Sequence, residues 1–445
     1  MRVGTAPIRG GIRRSVRPAA AAGGLVVLSI FFWYIFYQNL PDGFGLNKTT
    51  EDVVSTGNTL DRIMKICMIA MSIYVIATRW SLTRSLAKYM NLGAAAVLAL
   101  AALSAKWSID RDATLLRFIS LLSIVLICFS ISLSGWHRRR FQQLALPPLM
   151  YILVVSLVLG VIFPDRIVEI GTDLSLKGSW HGITITKNQF GMTASIAAII
   201  CVNRWLAQEG RASLALAGAG VSFLCLILSR SNTSLFATLL GVLFMVLVMR
   251  IPVIRQQFTA PVAIAIGATL LVYELAIQGV IPGAYTLLSP IMSLTGKDAT
   301  LSARTDIWDI IKEHIQAAPY LGTGYGAYWV GPLPESPSYI FTYKMYFYPT
   351  EAHNGYLDII NDLGYVGLIC LIAFLFFYVR QALQLMETDR TQAALYLALL
   401  FQQMVMNMSE SEWFARDSTF AVLILAITCL SRAVHDTRVQ TRRAA

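Results

Sequence analysis

Apolar runs of about 20 residues recur along this chain from one end to the other, and no other feature limits its fold so tightly. A helix needs about 20 predominantly apolar residues to cross the hydrocarbon of a bilayer. Inside lipid every backbone polar group must be paired within the protein, so such runs are helices and not loops. A membrane barrel would show alternating segments of about ten residues instead, and none is present. Composition agrees. The 445 residues are 56% hydrophobic and 14% charged, where a soluble chain carries roughly a quarter charged residues. The sequence predicts an all-α integral membrane protein.

Twelve spans are expected, at 21–38, 63–79, 89–105, 114–134, 144–163, 190–207, 212–229, 233–250, 261–281, 356–379, 392–408 and 418–432. Three regions follow: spans one to nine with short loops over 1–281, a large loop over 282–355, and spans ten to twelve with a tail over 356–445. The basic start, Arg13-Arg14-Ser-Val-Arg17, precedes an apolar stretch too long for a signal-peptide core and reads as an uncleaved first span. Twelve spans put both termini on one side, and the positive-inside rule makes that side cytoplasmic. On this register 21 of the 36 Lys and Arg fall on the shorter, inner stretches or at the inner ends of the spans beside them. The net charge of +11 is therefore dispersed between spans, and the sequence predicts no nucleic-acid partner. All six cysteines lie in apolar runs, without a disulfide or zinc pattern.

The outer stretches hold the informative sequence, and 282–355 the most. Within it Ile307, Ile310, Ile311 and Ile315 repeat at helical spacing, with Ser302 as the expected N-cap and Pro319 beyond the end. Three histidines fall outside: His181, His314 and His353. His314, beside Ile311 and Ile315, reads as structural. His353, in Glu351-Ala-His353-Asn354-Gly355, lies just before a span, where a low dielectric shifts pKa values easily. Among the cations, Arg230 ends the seventh span, Lys187 and Asn188 open the sixth, and Arg304 falls in the expected first turn of the loop helix. Snorkelling explains most helix-end arginines. It explains Arg304 less well, because a cation in a first turn opposes the helix dipole. Arginine also grips pyrophosphate oxygens in bidentate fashion. Asp110-Arg-Asp112 has the spacing of a metal-binding DxD, but reads as interface charge, and no metal is expected. Gly322-Thr-Gly324-Tyr-Gly326 has no strand before it and is a loop, not a nucleotide fold.

Over about residues 95–375 the chain resembles the O-antigen ligase and polymerase family. Six segments carry the resemblance in order: Leu103 to Asp110, Gly182 to Gly191, Leu228 to Ser231, Ser302 to Trp308, Pro319 to Gly326, and His353-Asn354 with Gly364-Tyr-Val-Gly367. The chain departs from the family's pattern at His181, where Arg is usual, and at Ala303, where Gly is usual. The resemblance implies a cofactor-free, metal-independent, inverting transfer of a glycan from a polyprenyl diphosphate on the periplasmic face of a bacterial inner membrane. His353 would be the general base, and Arg230 and Arg304 would bind the diphosphate. Lys187, Asn188, Asn354, Trp308 and Tyr325 lie in the same motifs and are assigned to substrate binding. A flippase and a chain-length regulator are the implied partners beside the bilayer and the lipid-linked oligosaccharide. The motifs do not separate an exopolysaccharide polymerase from a ligase acting on lipid A core; the polymerase is the closer likeness. The rival from another class is a transporter, which would show inverted repeats that this sequence lacks.

Overall fold

The computed structural model describes residues 18–38, 59–169, 176–277, 298–345 and 348–444. They form an all-α integral membrane protein, with no named strand among the described residues and a single bridge between Val168 and Trp180. In chain order the helices are α1 Pro18–Gln38, α2 Thr59–Thr78, α3 Trp80–Ala87, α4 Leu92–Ser104, α5 Arg111–Leu133, α6 Arg140–Ile162, α7 Lys187–Leu206 and α8 Ala212–Ser229. There follow α9 Asn232–Arg250, α10 Thr259–Ile277, α11 Asp298–Ile315, α12 Phe341–Lys344, α13 Gly355–Met386, α14 Arg390–Met406 and α15 Ser418–Ala444. The turns of Ile254–Phe258 that lead into α10 are π-helical.

Every one of the twelve expected runs falls on a helix. Seven helices among the described residues are long and apolar enough to cross a membrane, and an eighth span results if α3 and α4, bent by 103°, are one. The shortfall from twelve has physical causes. α2 carries Asp61, Arg62 and Lys65. α7 and α14 are largely enclosed by other helices, so protein and not lipid faces them. They can therefore hold Asn203, Gln392, Gln402 and Gln403, all buried. α14 packs against α7, α9, α10, α13 and α15 and is the centre of the bundle.

α13 is two helices joined at Gly364, whose φ of 66° and ψ of −170° no side-chain-bearing residue adopts readily. A Cβ there would strike the Tyr320 backbone. The loop of Gly322, Gly324 and Gly326 docks into this break: Thr323 N donates to Asn361 O at 3.1 Å, Gly324 N to Asp362 O at 2.9 Å, and Tyr365 N to Pro319 O at 2.8 Å. The two glycine motifs are thus halves of one joint. Trp107 Nε1 donates to Leu321 O at 3.1 Å and ties the α4–α5 turn to the same loop.

Two expectations about the loop helix change. Its described part already runs from Asp298, so Ser302 is inside it and does not cap it. Arg304 consequently lies beyond the first turn, where the dipole argument lapses. Residues 278–281 of the expected ninth span, and 282–297 and 346–347 of the expected large loop, lie outside the described residues.

Candidate active site

Four segments meet at one end of the bundle: the start of α7, the exposed side of α11, the turn 351–354 before α13, and the turn 407–417 between α14 and α15. Each is fixed by local chemistry. Thr186 caps α7 by accepting from Gln189 N at 3.2 Å, which presents Lys187 and Asn188 in the first turn. Asn354 caps α13, its Oδ1 accepting from Tyr356 N at 3.1 Å and Leu357 N at 2.9 Å. Its Nδ2 donates to Glu274 Oε1 of α10 at 2.6 Å, and its backbone N to Ser411 Oγ at 3.2 Å. Asn407 Oδ1 accepts from Glu412 N at 2.9 Å and Trp413 N at 2.7 Å, which closes the second turn.

Glu410 is the hub. Asn188 Nδ2 donates to its Oε1 at 2.6 Å, Arg304 Nη2 lies 3.3 Å from the same oxygen, and His353 Nδ1 lies 3.6 Å from Oε2. His353 Nδ1 is also 3.0 Å from Glu351 Oε1, close enough for an ion pair but not aligned as a hydrogen bond. Arg304, Asn188 and His353, three residues far apart in sequence, are therefore brought together. His353 adopts φ +51°, a left-handed conformation uncommon outside glycine. Its neighbours impose it. On one side Ala352 N donates to Asp358 Oδ2 and Trp308 Nε1 donates to Ala352 O, both at 3.0 Å; on the other stands the Asn354 cap. Strain held in place by surrounding bonds is a feature of functional sites.

Burial alone would lower the pKa of His353, but the carboxylates of Glu351 and Glu410 outweigh it and push the ring up to about 10. Burial opposes ionisation of Glu410 too, and His353 and Arg304 overcome it, holding that carboxyl below its ordinary value. At neutral pH the site is an imidazolium between two carboxylates. This departs from a neutral imidazole ready to take a proton. The ligand atoms of Glu351, His353 and Glu410 lie within 4.8 Å of one another, close enough to hold a metal ion. The sequence reading sought metal ligands only in the DxD. There Asp110 is the N-cap of α5, accepting from Ala113 N at 2.9 Å.

Other expected residues lie elsewhere. Arg230 also has a left-handed backbone, φ +51°. It is exposed, and its Nη1 donates to Lys177 O at 2.9 Å. Among the described residues it makes no hydrogen bond or ion pair to Glu410, although Gly191, one turn into α7, packs on Ser229 and Ser231 beside it. Tyr325 is buried, donating its hydroxyl to Phe414 O at 2.6 Å, and burial pushes its pKa up. It packs the α13 joint and not the Glu410 cluster. Trp308 holds the 351–354 turn. His314 is structural as expected, bonded to Asn361 at 2.9 Å and resting on the Tyr328 ring. Sequence reasoning passed over Glu410 and Glu274. Glu274 had a signal, a lone carboxylate deep in an apolar run, which marks a functional position by default. Glu410 had only its place in an acidic turn.

A family model described as O-antigen ligase matches residues 196–372. Over that segment the chain is similar to the O-antigen ligase family. The match takes in Arg230, Arg304 and His353, while Asn188 and Glu410 lie outside it. The exopolysaccharide production protein ExoQ of Rhizobium meliloti (strain 1021) is 27% identical over 313 residues, covering 66% of this chain and 67% of that protein. The likeness extends the resemblance to a protein named for exopolysaccharide production.

Proposed function

We propose that this protein polymerises polyprenyl-diphosphate-linked oligosaccharide units at the non-cytoplasmic face of a bacterial inner membrane, in the manner of exopolysaccharide production. The observation that carries the reading is the convergence of Arg304, Asn188 and His353 on Glu410. Three donors that would grip an anionic diphosphate are held together, at the end of a membrane bundle, by one internal carboxylate. The ligase reading of the family is the alternative; the name of the exopolysaccharide relative favours polymer formation.

In the proposed step the acceptor hydroxyl attacks the anomeric carbon from the face opposite the diphosphate, with inversion. The new carbon–oxygen bond forms as the bond to the diphosphate breaks. Arg304 and protonated His353 stabilise the charge on the departing polyprenyl diphosphate. The acceptor's proton passes to Glu351, the carboxylate closest to the imidazolium. Asn188 orients the donor, and Arg230, at the same end, meets a more distant part of the lipid-linked glycan. Metal independence fits the same arrangement. A proton on His353 and the Arg304 guanidinium already supply the positive charge that a divalent ion would bring.

The test is polymer formation from a purified polyprenyl-diphosphate substrate, with variants matched for expression. Arg304→Lys keeps the charge but loses the planar fork, and a loss of about two to three decades in rate is expected. Activity should persist in EDTA. Loss of activity in chelator, restored by Mg²⁺ or Mn²⁺, would transfer Glu351, His353 and Glu410 to metal binding.

A further inference from the structure

α10 and α13 part to leave a cleft of about 780 Å³, whose mouth lies at the end of the bundle away from Glu410. The polarity of each helix fixes the place. α10 carries Glu274, bonded to Asn354, near one end and runs from Thr259 at the other. Arg255 therefore lies about 28 Å along the helix from the candidate site. The cleft walls are apolar, with Ala263 and Gly267 on one side and Leu375 and Leu383 on the other. They follow α10 from Arg255 to Leu271, about 24 Å of helix, deeper than the roughly 15 Å of one leaflet's hydrocarbon.

The mouth is strongly basic. Arg255, Arg380 and Arg390 line it, and an adjoining polar pocket of about 340 Å³ adds Arg250 to Arg255 and Arg390. These arginines come from α9, the π-helical turns, α13 and α14. One carboxylate, Glu387, lines the same cleft. Among the described residues none of the four arginines is in an ion pair; Arg390 bonds to Thr259 Oγ1 and Arg250 to Leu206 O. Four cations above one anion, over an apolar trough open to the bilayer, match a phosphate head group with its acyl chains. Basic pockets between membrane helices hold anionic lipids in this way.

We propose that this cleft binds an anionic phospholipid of the surrounding leaflet, with its phosphate among Arg250, Arg255 and Arg390 and its chains between α10 and α13. The lipid is a bound partner distinct from the glycan donor, since the cleft opens at the wrong end of α10 for transfer at Glu410. The test uses the purified full chain in phosphatidylcholine nanodiscs doped with a photoactivatable phosphatidylglycerol. Labelling should map to α10 and α13 and be competed by unlabelled phosphatidylglycerol, but not by phosphatidylcholine. Arg255→Gln with Arg390→Gln should weaken retention about thirtyfold, each arginine near the surface contributing about fivefold. Arg255→Lys with Arg390→Lys should retain most of it, which guards against simple misfolding of the glutamine pair. Equal competition by phosphatidylcholine would overturn the proposal, as would preferential competition by a polyprenyl phosphate or unchanged retention in the glutamine pair.

Discussion

His353 sits where its backbone and its proton are both set by neighbours. The left-handed turn is pinned by Asp358, Trp308 and Asn354, and the ring charge by Glu351 and Glu410. Because its pKa in the fold lies above the ordinary imidazole value, protonation of His353 stabilises the fold. That contribution is fully present below about pH 6.5 and is lost as pH rises toward about 10. His353→Asn keeps a residue that tolerates the left-handed conformation and removes the ring. The melting-temperature gap between wild type and His353→Asn should therefore be widest in mild acid and close as pH approaches 10. Activity follows the same proton: if imidazolium is the working form, rate is flat through neutral pH and falls on the alkaline side. A rate that climbs toward pH 10 would restore the neutral-base role. Glu410→Gln removes one of the two carboxylates and should move that alkaline limb to lower pH.

At the scale of elements, the decisive feature is the joint between the 319–326 loop and the break in α13. Gly364→Ala asks an alanine to hold φ 66° with ψ −170°, a region essentially restricted to glycine, at about 1–3 kcal/mol, and also drives its Cβ into the Tyr320 backbone. A loss of at least that size is expected in thermal unfolding in detergent, with polymer formation falling in parallel because Asp358 and the 351–354 turn hang from the same helix. Each of the two glycine motifs was visible in the sequence, but their docking was not, since nothing local in either says what it packs against. The same limit hid the hub. Apolar runs declare helices one at a time, so all twelve were legible. Glu410, in contrast, matters only because Asn188, Arg304 and His353 reach it from 222, 106 and 57 positions away. The carboxylates that set the charge of His353 are a tertiary property of the same kind. The start of α11 was misplaced because Ser302 is a good cap by type, while the helix continues back to Asp298.

For the whole molecule, the ends of the bundle differ in chemistry, and this difference predicts how it sits in the membrane. One end gathers Arg138 and Arg139, clamped by Glu209 and Asp389, with Arg250, Arg255 and Arg390 beyond them. The other holds the Glu410 cluster and the 319–345 segment with its tyrosines. Loops rich in Lys and Arg stay in the cytoplasm, so the first end should face inward and the second outward, as the proposed transfer requires. Exposed positions at each end give a direct test: Glu335 on the one and Arg211 on the other. In a background with the six native cysteines replaced, Glu335→Cys should react with an impermeant maleimide in intact cells freed of their outer membrane. Arg211→Cys should react only after the inner membrane is permeabilised. The reverse pattern would place Glu410 in the cytoplasm, where a lipid-linked donor exported across the membrane could not reach it.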